Sequence, residues 1–194
     1  MSNPNREAFE KKAKHVYGEL FRGYSAYCLF RAIRRNIAPN VVGKERAEDN
    51  VAIMNVHPAF FGTSLDTALQ SSQLQIAKMI DKDNQASSLF RLLFLAEELK
   101  VIDKKTRARL ERRLSSRTFL AVRHNRDKFI AHIDTNFKLQ PVLDGQLDRA
   151  YKVCYEVLAK VTGNTKAFLV HIPRDAELGV RGVLAACRKA RSSN

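Results

Sequence analysis

The chain has 194 residues, 45% of them hydrophobic, and carries a formal net charge of +14. That is enough apolar material for one folded domain with a core, or a domain and a small appendage, and it excludes a wholly disordered chain. No apolar run approaches the roughly 18 residues of a membrane span. The polar start, MSNPNREAFEKKAKH, lacks the apolar centre of a secretion signal. The three cysteines, Cys28, Cys154 and Cys187, are odd in number and far apart, which argues against a disulfide framework or a zinc site. The expectation is therefore a protein of the reducing cytoplasm, with no membrane, no metal and no cofactor.

In chain order the sequence reads as nearly all helix. Over residues 5 to 37, Phe9, Ala13, Val16, Leu20, Tyr24 and Tyr27 recur at steps of three and four, the spacing of an amphipathic helix. Pro39 and Gly43 punctuate the chain, and a second helix starts near Lys44. His57-Pro58 interrupts it as a kink or a fresh start, because proline lacks an amide donor and clashes with the preceding turn. From Ala59 to Ile80 an apolar helix carries Phe60, Phe61, Leu65, Leu69, Leu74, Ile76, Met79 and Ile80, expected at the centre of the core. After the DKDN loop at 81–84, Ala86 to Leu99 is predicted helical with Leu89, Leu92, Leu93, Leu95 and Ala96 buried. Asp103 is a natural N-cap for the next helix, which either runs on or breaks at Ser115-Ser116. Residues 135 to 145 are a linker, and Leu147, Tyr151, Cys154, Leu158 and Val161 mark another amphipathic helix, stopped by Gly163-Asn164. The apolar run 167–172 is expected as an extended arm, followed by a weak helix over 175–190. The division expected is a helical domain over 5–163 with a C-terminal extension, 164–194, packed on it.

The charge is not spread evenly. Between Lys104 and Lys128 there are ten Lys or Arg against two acids, a surplus of eight and over half of the whole. Such a stretch is either a solvated helix face or a surface that tracks a nucleic-acid backbone. Arg112, Arg113, Arg117, Arg123 and Lys128 are the candidate RNA contacts. The aromatic residues lie mostly on apolar faces, so contact is expected through phosphates rather than through stacked bases. The acids at Asp81/Asp83 and Glu97-Glu98 have no partner histidine and receive no role, and His15 and His171 are isolated.

The same stretch runs into RHNRDKFIAHID, residues 123 to 134. An Arg and a following His with four to six residues between them mean nothing by themselves. With 19 Arg and five His, composition predicts about 1.5 such matches, and two occur, Arg117 to His124 and Arg126 to His132. Context separates them. Arg126 is followed at once by Asp127, and Thr135, Asn136 and Pro141 end the helix just past His132. Asn125 and His132 share a face of a regular helix, whereas Arg126 lies about 120° away around the axis, so the two heads meet only if the helix distorts or two subunits combine. Arg123 and Asp127, four apart, are placed to pair. The chemistry is coherent. Cleaving RNA through its own 2′-hydroxyl needs a proton carrier that titrates near neutrality, a histidine, and a fixed cation against the phosphorane, an arginine. The plain alternative is a helix C-terminus whose histidine meets the end carbonyls and the dipole.

NRDKFIAHID resembles the signature of the HEPN superfamily, and the branch it is most similar to is that of the AbiU-type abortive-infection proteins. FFGTSLDTALQSSQLQIAKMIDKD, residues 60 to 83, resembles the hydrophobic helix ending in an Asp that precedes the signature in that branch. The resemblance implies an all-α bundle of long antiparallel helices and a homodimer in which two Arg/His motifs face each other across a cleft. It also implies metal-independent endoribonuclease action as a toxin or antiphage effector, with an antitoxin or defence-system protein as a possible partner. Arg126 and His132 carry over as the catalytic pair and Asp127 as the polar residue beside the arginine; Asn125 and Asp134 are added as supporting residues. Asp134 stands where many HEPN toxins paired with nucleotidyltransferases have a tyrosine, so control through that tyrosine is not expected. Two other readings stay open, a non-catalytic HEPN-like module that binds RNA or protein, and a helical DNA-binding regulator.

Overall fold

A computed structural model describes residues 4–83, 85–127, 142, 144–163 and 172–192. Nine helices and no strand occur among the described residues: α1 Pro4–Asn36, α2 Pro39–Val42, α3 Lys44–Val56, α4 Pro58–Met79, α5 Leu89–Glu98, α6 Lys104–Leu114, α7 Arg117–Asn125, α8 Asp144–Thr162 and α9 Ile172–Ser192. The all-α expectation holds. Local chemistry explains most boundaries. Pro58 makes the interruption after α3 a fresh start, with His57 between them out of the helical conformation (φ −125°, ψ 54°). Gly43 (φ 86°) and Gly163 (φ 68°) sit where a side chain would be strained, and each marks a helix boundary. Asp103 caps α6, its Oδ1 accepting the Thr106 amide at 2.7 Å, and the Thr106 side chain first and its amide second hold the carboxyl below the usual range. Helix α5 begins at Leu89 rather than Ala86 because the Ser88 hydroxyl accepts the Arg91 amide at 3.3 Å.

The chain forms two compact units. The first comprises 1–23 and 73–166. Within it α5 packs on α6 and α8, and α8 also packs on α6 and α7. All five residues expected from α5 are buried, as are Leu147, Tyr151, Cys154, Leu158 and Val161 of α8. Leu110, Leu114, Phe119 and Val122 join them from α6 and α7. Gly23 permits a close approach here, since a Cβ would lie 2.5 Å from the Tyr151 hydroxyl and 2.6 Å from Gln75 Cβ. The buried Cys154 thiol is pushed up in pKa by desolvation, as suits a core residue.

The second unit comprises 24–72 and 167–194. Its core is Ala32, Ile33, Ile53, Phe61, Val180 and Leu184. Here the sequence expectation needs two corrections. Helix α9 is not a weak helix over 175–190 but runs 21 residues, from Ile172 to Ser192, with Ile172, Val180 and Leu184 buried. Its two glycines lie in open surroundings, and its packing against α3 outweighs their low helix propensity. Phe60, expected in the core, is exposed, because its neighbour Phe61 occupies the inward position. Arg188 ties α9 to α3 through Asp49 and through Asn50 Oδ1 at 2.5 Å, and Asn50 donates in turn to the Asn36 carbonyl at 2.5 Å. Of the arm predicted at 167–172, residues 167–171 lie outside the described residues, and Ile172 is the first residue of α9 rather than extended.

Candidate nucleic-acid and catalytic site

The basic stretch breaks at Ser115-Ser116, the second of the two expected outcomes, giving α6 and α7. Phe119, Val122 and Asn125 form the buried face of α7, which leaves Arg117 and Arg123 exposed. Arg112 and Arg113, at the end of α6, are exposed as well. Arg113 pairs with Glu156 of α8, and Arg112 Nε donates to the Ala108 carbonyl at 3.4 Å. Lys128, His132 and Asp134 lie outside the described residues.

Regular helix ends at Asn125. The Arg126 amide donates to the carbonyls of Val122 and Arg123, and Arg126 and Asp127 continue in a wider π turn. Turns of this kind recur at functional sites. The regular helix on which the 120° separation of Arg126 from His132 rests therefore stops before the arginine.

The Arg126 side chain is 21% exposed and firmly held. Nε and Nη2 donate to Asp127 Oδ1 at 2.7 and 2.6 Å, and Nη1 donates to Asp81 Oδ2 at 3.2 Å. Asp127 also receives Arg123, Nε to Oδ2 at 3.8 Å, the pairing expected from their spacing. A guanidinium has five N–H donors; three of them are used among the described residues. Asn125 is buried, and its Nδ2 donates to Gln73 Oε1 on α4 at 3.1 Å, so it anchors α7 to α4.

Asp81 is the residue that reading the sequence for pairs overlooked. It stands in the loop after α4, and its Oδ1 accepts the Asp83 amide at 3.0 Å. That hydrogen bond, then the Arg126 guanidinium and the charge of Arg123, hold its carboxyl below the ordinary range despite partial burial. The only hint in the sequence was the Asp ending the upstream helix of the resembled branch.

A second basic surface also went unread. Lys11, His15, Gly18 and Arg22 follow one another at steps of four, three and four on α1, and with Lys12, Lys14 and Ser87 they line an open cavity of about 630 Å³. Lys12 Nζ is fixed by the carbonyls of Gln85 and Ala86, each at 3.3 Å. In the sequence its charges are sparser than the dense run after Lys104 and share one helix face only at steps of three and four. Among the described residues no group of three or more His, Cys, Asp or Glu is arranged to hold a metal ion, and no helix is long and apolar enough to cross a membrane.

A family model of HEPN domains, described as AbiU2, matches residues 6–168. The chain belongs to this family. It is a HEPN-type abortive-infection module, and the match spans both the upstream apolar helix and the Arg126–His132 signature. Neither a curated protein nor a solved structure gives a significant match.

Proposed function

We propose that this AbiU2-family HEPN protein is an endoribonuclease that acts in abortive infection, with Arg126 and His132 as its reacting pair. The observation that carries the reading is the setting of Arg126. The signature arginine is partly buried at a distorted helix end, oriented by Asp81 and Asp127, and keeps two N–H donors uncommitted among the described residues. In the reaction, the 2′-hydroxyl of RNA attacks the adjoining phosphorus and the bond to the 5′-oxygen breaks, giving a 2′,3′-cyclic phosphate and a 5′-hydroxyl. His132 moves the proton, and a second copy of the motif in a homodimer supplies the complementary acid or base. Arg126 meets the charge that grows on the phosphorane, where a preoriented cation is most effective. Arg112, Arg117, Arg123 and Lys128 hold the flanking phosphates, with Arg113 available once it leaves Glu156. The protein acts in the cytoplasm, where its substrate is.

The test is cleavage of RNA in EDTA by the wild type, His132→Ala and Arg126→Ala, with growth arrest on expression as the cellular readout. Both variants are expected to lose cleavage and toxicity. Equal activity in all three, or a requirement for divalent metal, overturns the mechanism. One observation favours a second reading, a non-catalytic RNA-binding module: the two carboxylates already neutralise Arg126. That reading predicts salt-sensitive RNA binding, no cleavage, and toxicity indifferent to His132→Ala.

A further inference from the structure

The loop that supplies Asp81 continues directly into a pocket of about 230 Å³ lined by Lys82, Asp83, Phe90, Arg91, Phe94 and Arg107, among others. Three cations lie over its rings: Lys82 Nζ 5.2 Å from the Phe90 centroid, and Arg91 Cζ and Arg107 Cζ at 4.7 and 5.2 Å from that of Phe94. They are not equivalent. Arg107 is neutralised by Glu97 and Glu111, each at 2.7 Å. Lys82 and Arg91 have no carboxylate partner among the described residues, and Arg91 Nε is buried without a hydrogen-bond acceptor. The buried Nε has no acceptor to draw the guanidinium away from the pocket, and the exposed part of the Arg91 side chain is what an anionic oxygen can reach. Phe90 and Phe94 are partly exposed, so a planar apolar group can reach a ring beside that anion. An anion joined to a flat ring is the chemistry of a nucleoside phosphate, and the volume is on the scale of one nucleotide.

The position is as informative as the lining. Asp81 holds Arg126 through Oδ2 and the Asp83 amide through Oδ1. The pocket wall at Lys82 and Asp83 therefore begins at the residue that fixes the signature arginine. We propose that this pocket is a nucleotide subsite that takes an unpaired nucleotide of the RNA strand beside the cleaved phosphate. The base stacks on Phe90, and Lys82 and Arg91 hold the phosphate. The proposal rests on the ribonuclease reading for its substrate. It revises the expectation that contact runs through phosphates alone. Stacking on a protein ring requires a base free of its complement, so single strands are selected over duplex.

The test uses the full-length His132→Ala protein, which leaves RNA intact, and a short fluorescein-labelled RNA of mixed sequence followed by anisotropy. Adding Phe90→Ala, Arg91→Gln or Lys82→Gln is expected to weaken binding roughly 5- to 30-fold, as loss of one stacked or held nucleotide does, with little change for the same sequence as a duplex. In the wild-type background the same substitutions are expected to redistribute the cut positions. Arg91→Gln and Lys82→Gln alter partly exposed side chains and keep the test decisive even if Phe90→Ala fails to fold. If the substitutions leave binding and cut positions unchanged while cleavage still depends on His132, the subsite is wrong and the ribonuclease reading stands. If the wild type does not cleave but RNA binding depends on the pocket, the subsite stands and the ribonuclease reading falls. If AMP or UMP binds in a pocket-dependent way while the oligomer does not, the ligand is a free nucleotide and placement on the strand is overturned.

Discussion

Arg126 and Arg188 are exposed to the same degree, 21% of each side chain, and each meets aspartate. Their surroundings differ. Arg188 joins two helices of one unit, α9 and α3, and its partner Asn50 is itself committed to the Asn36 carbonyl. Its neighbour Arg191 shares Asp49 at 3.4 Å. Every part of that network holds helices together. Arg126 instead sits past the end of a regular helix, where one acid is its own chain neighbour and the other comes from a loop. An arginine facing carboxylates is thus not evidence of a site by itself. The distorted helix end and the two donors without a partner among the described residues set Arg126 apart.

The comparison can be broken most sharply by removing each arginine. Arg126→Ala and His132→Ala are expected to lower cleavage by about 10²- to 10³-fold each, while the thermal midpoint moves little. A large fall in the midpoint with cleavage retained would place Arg126 in the same class as Arg188. Arg188→Ala is expected to do the reverse, costing about 1.5–3 kcal/mol in urea unfolding because it strands Asp49 and Asn50, with cleavage per folded molecule unchanged.

Asp81→Asn probes the loop acid that sets Arg126. Its effect on cleavage is expected to be smaller, about tenfold, and its stability effect depends on pH in a defined direction. The folded state depresses the Asp81 pKa, so the stabilisation it brings is fully present above the unfolded value, about 3.9, and is lost as pH falls through the lower folded value. The stability gap between the wild type and Asp81→Asn should therefore be constant from pH 5 to 8 and close below about pH 4. A gap that widens in acid would contradict the assigned pairing. The smallest expected effect separates a paired from an unpaired arginine on the basic helices. Arg117→Gln should reduce the salt dependence of RNA binding by about 0.7 in the log–log slope. Arg113→Gln should reduce it less, since Glu156 already neutralises that guanidinium.

Helix α5 shows what is readable from the chain. Its five apolar positions and the capping Ser88 lie within a dozen residues, and all five are buried. The cap at Asp103, the stop at Gly163 and the Arg123–Asp127 pair were legible for the same reason, since each is an interaction between near neighbours. Phe60 is exposed beside a buried Phe61, a choice the apolar pattern leaves open, and α9 differs from the expectation because a glycine-bearing helix gains its stability from a partner far along the chain. The Arg126 partner in the 81–83 loop and the Phe90–Arg91 pocket were illegible for the same cause. Forty-five positions separate Asp81 from Arg126, and no local periodicity encodes that meeting.

The sequence alone determined the helical class, the segments of the first unit's core, the basic run from Lys104 and the family to which the chain belongs. All follow from composition, period or motif, which are properties of short windows. Only the tertiary structure decided that Asp81 holds Arg126, that Asn125 is an anchor, that Arg113 is neutralised, and that Lys82 and Arg91, without a carboxylate partner among the described residues, share one pocket with two phenyl rings. Those outcomes depend on which distant charges share a low-dielectric neighbourhood, and that is settled when helices pack and water is excluded between them.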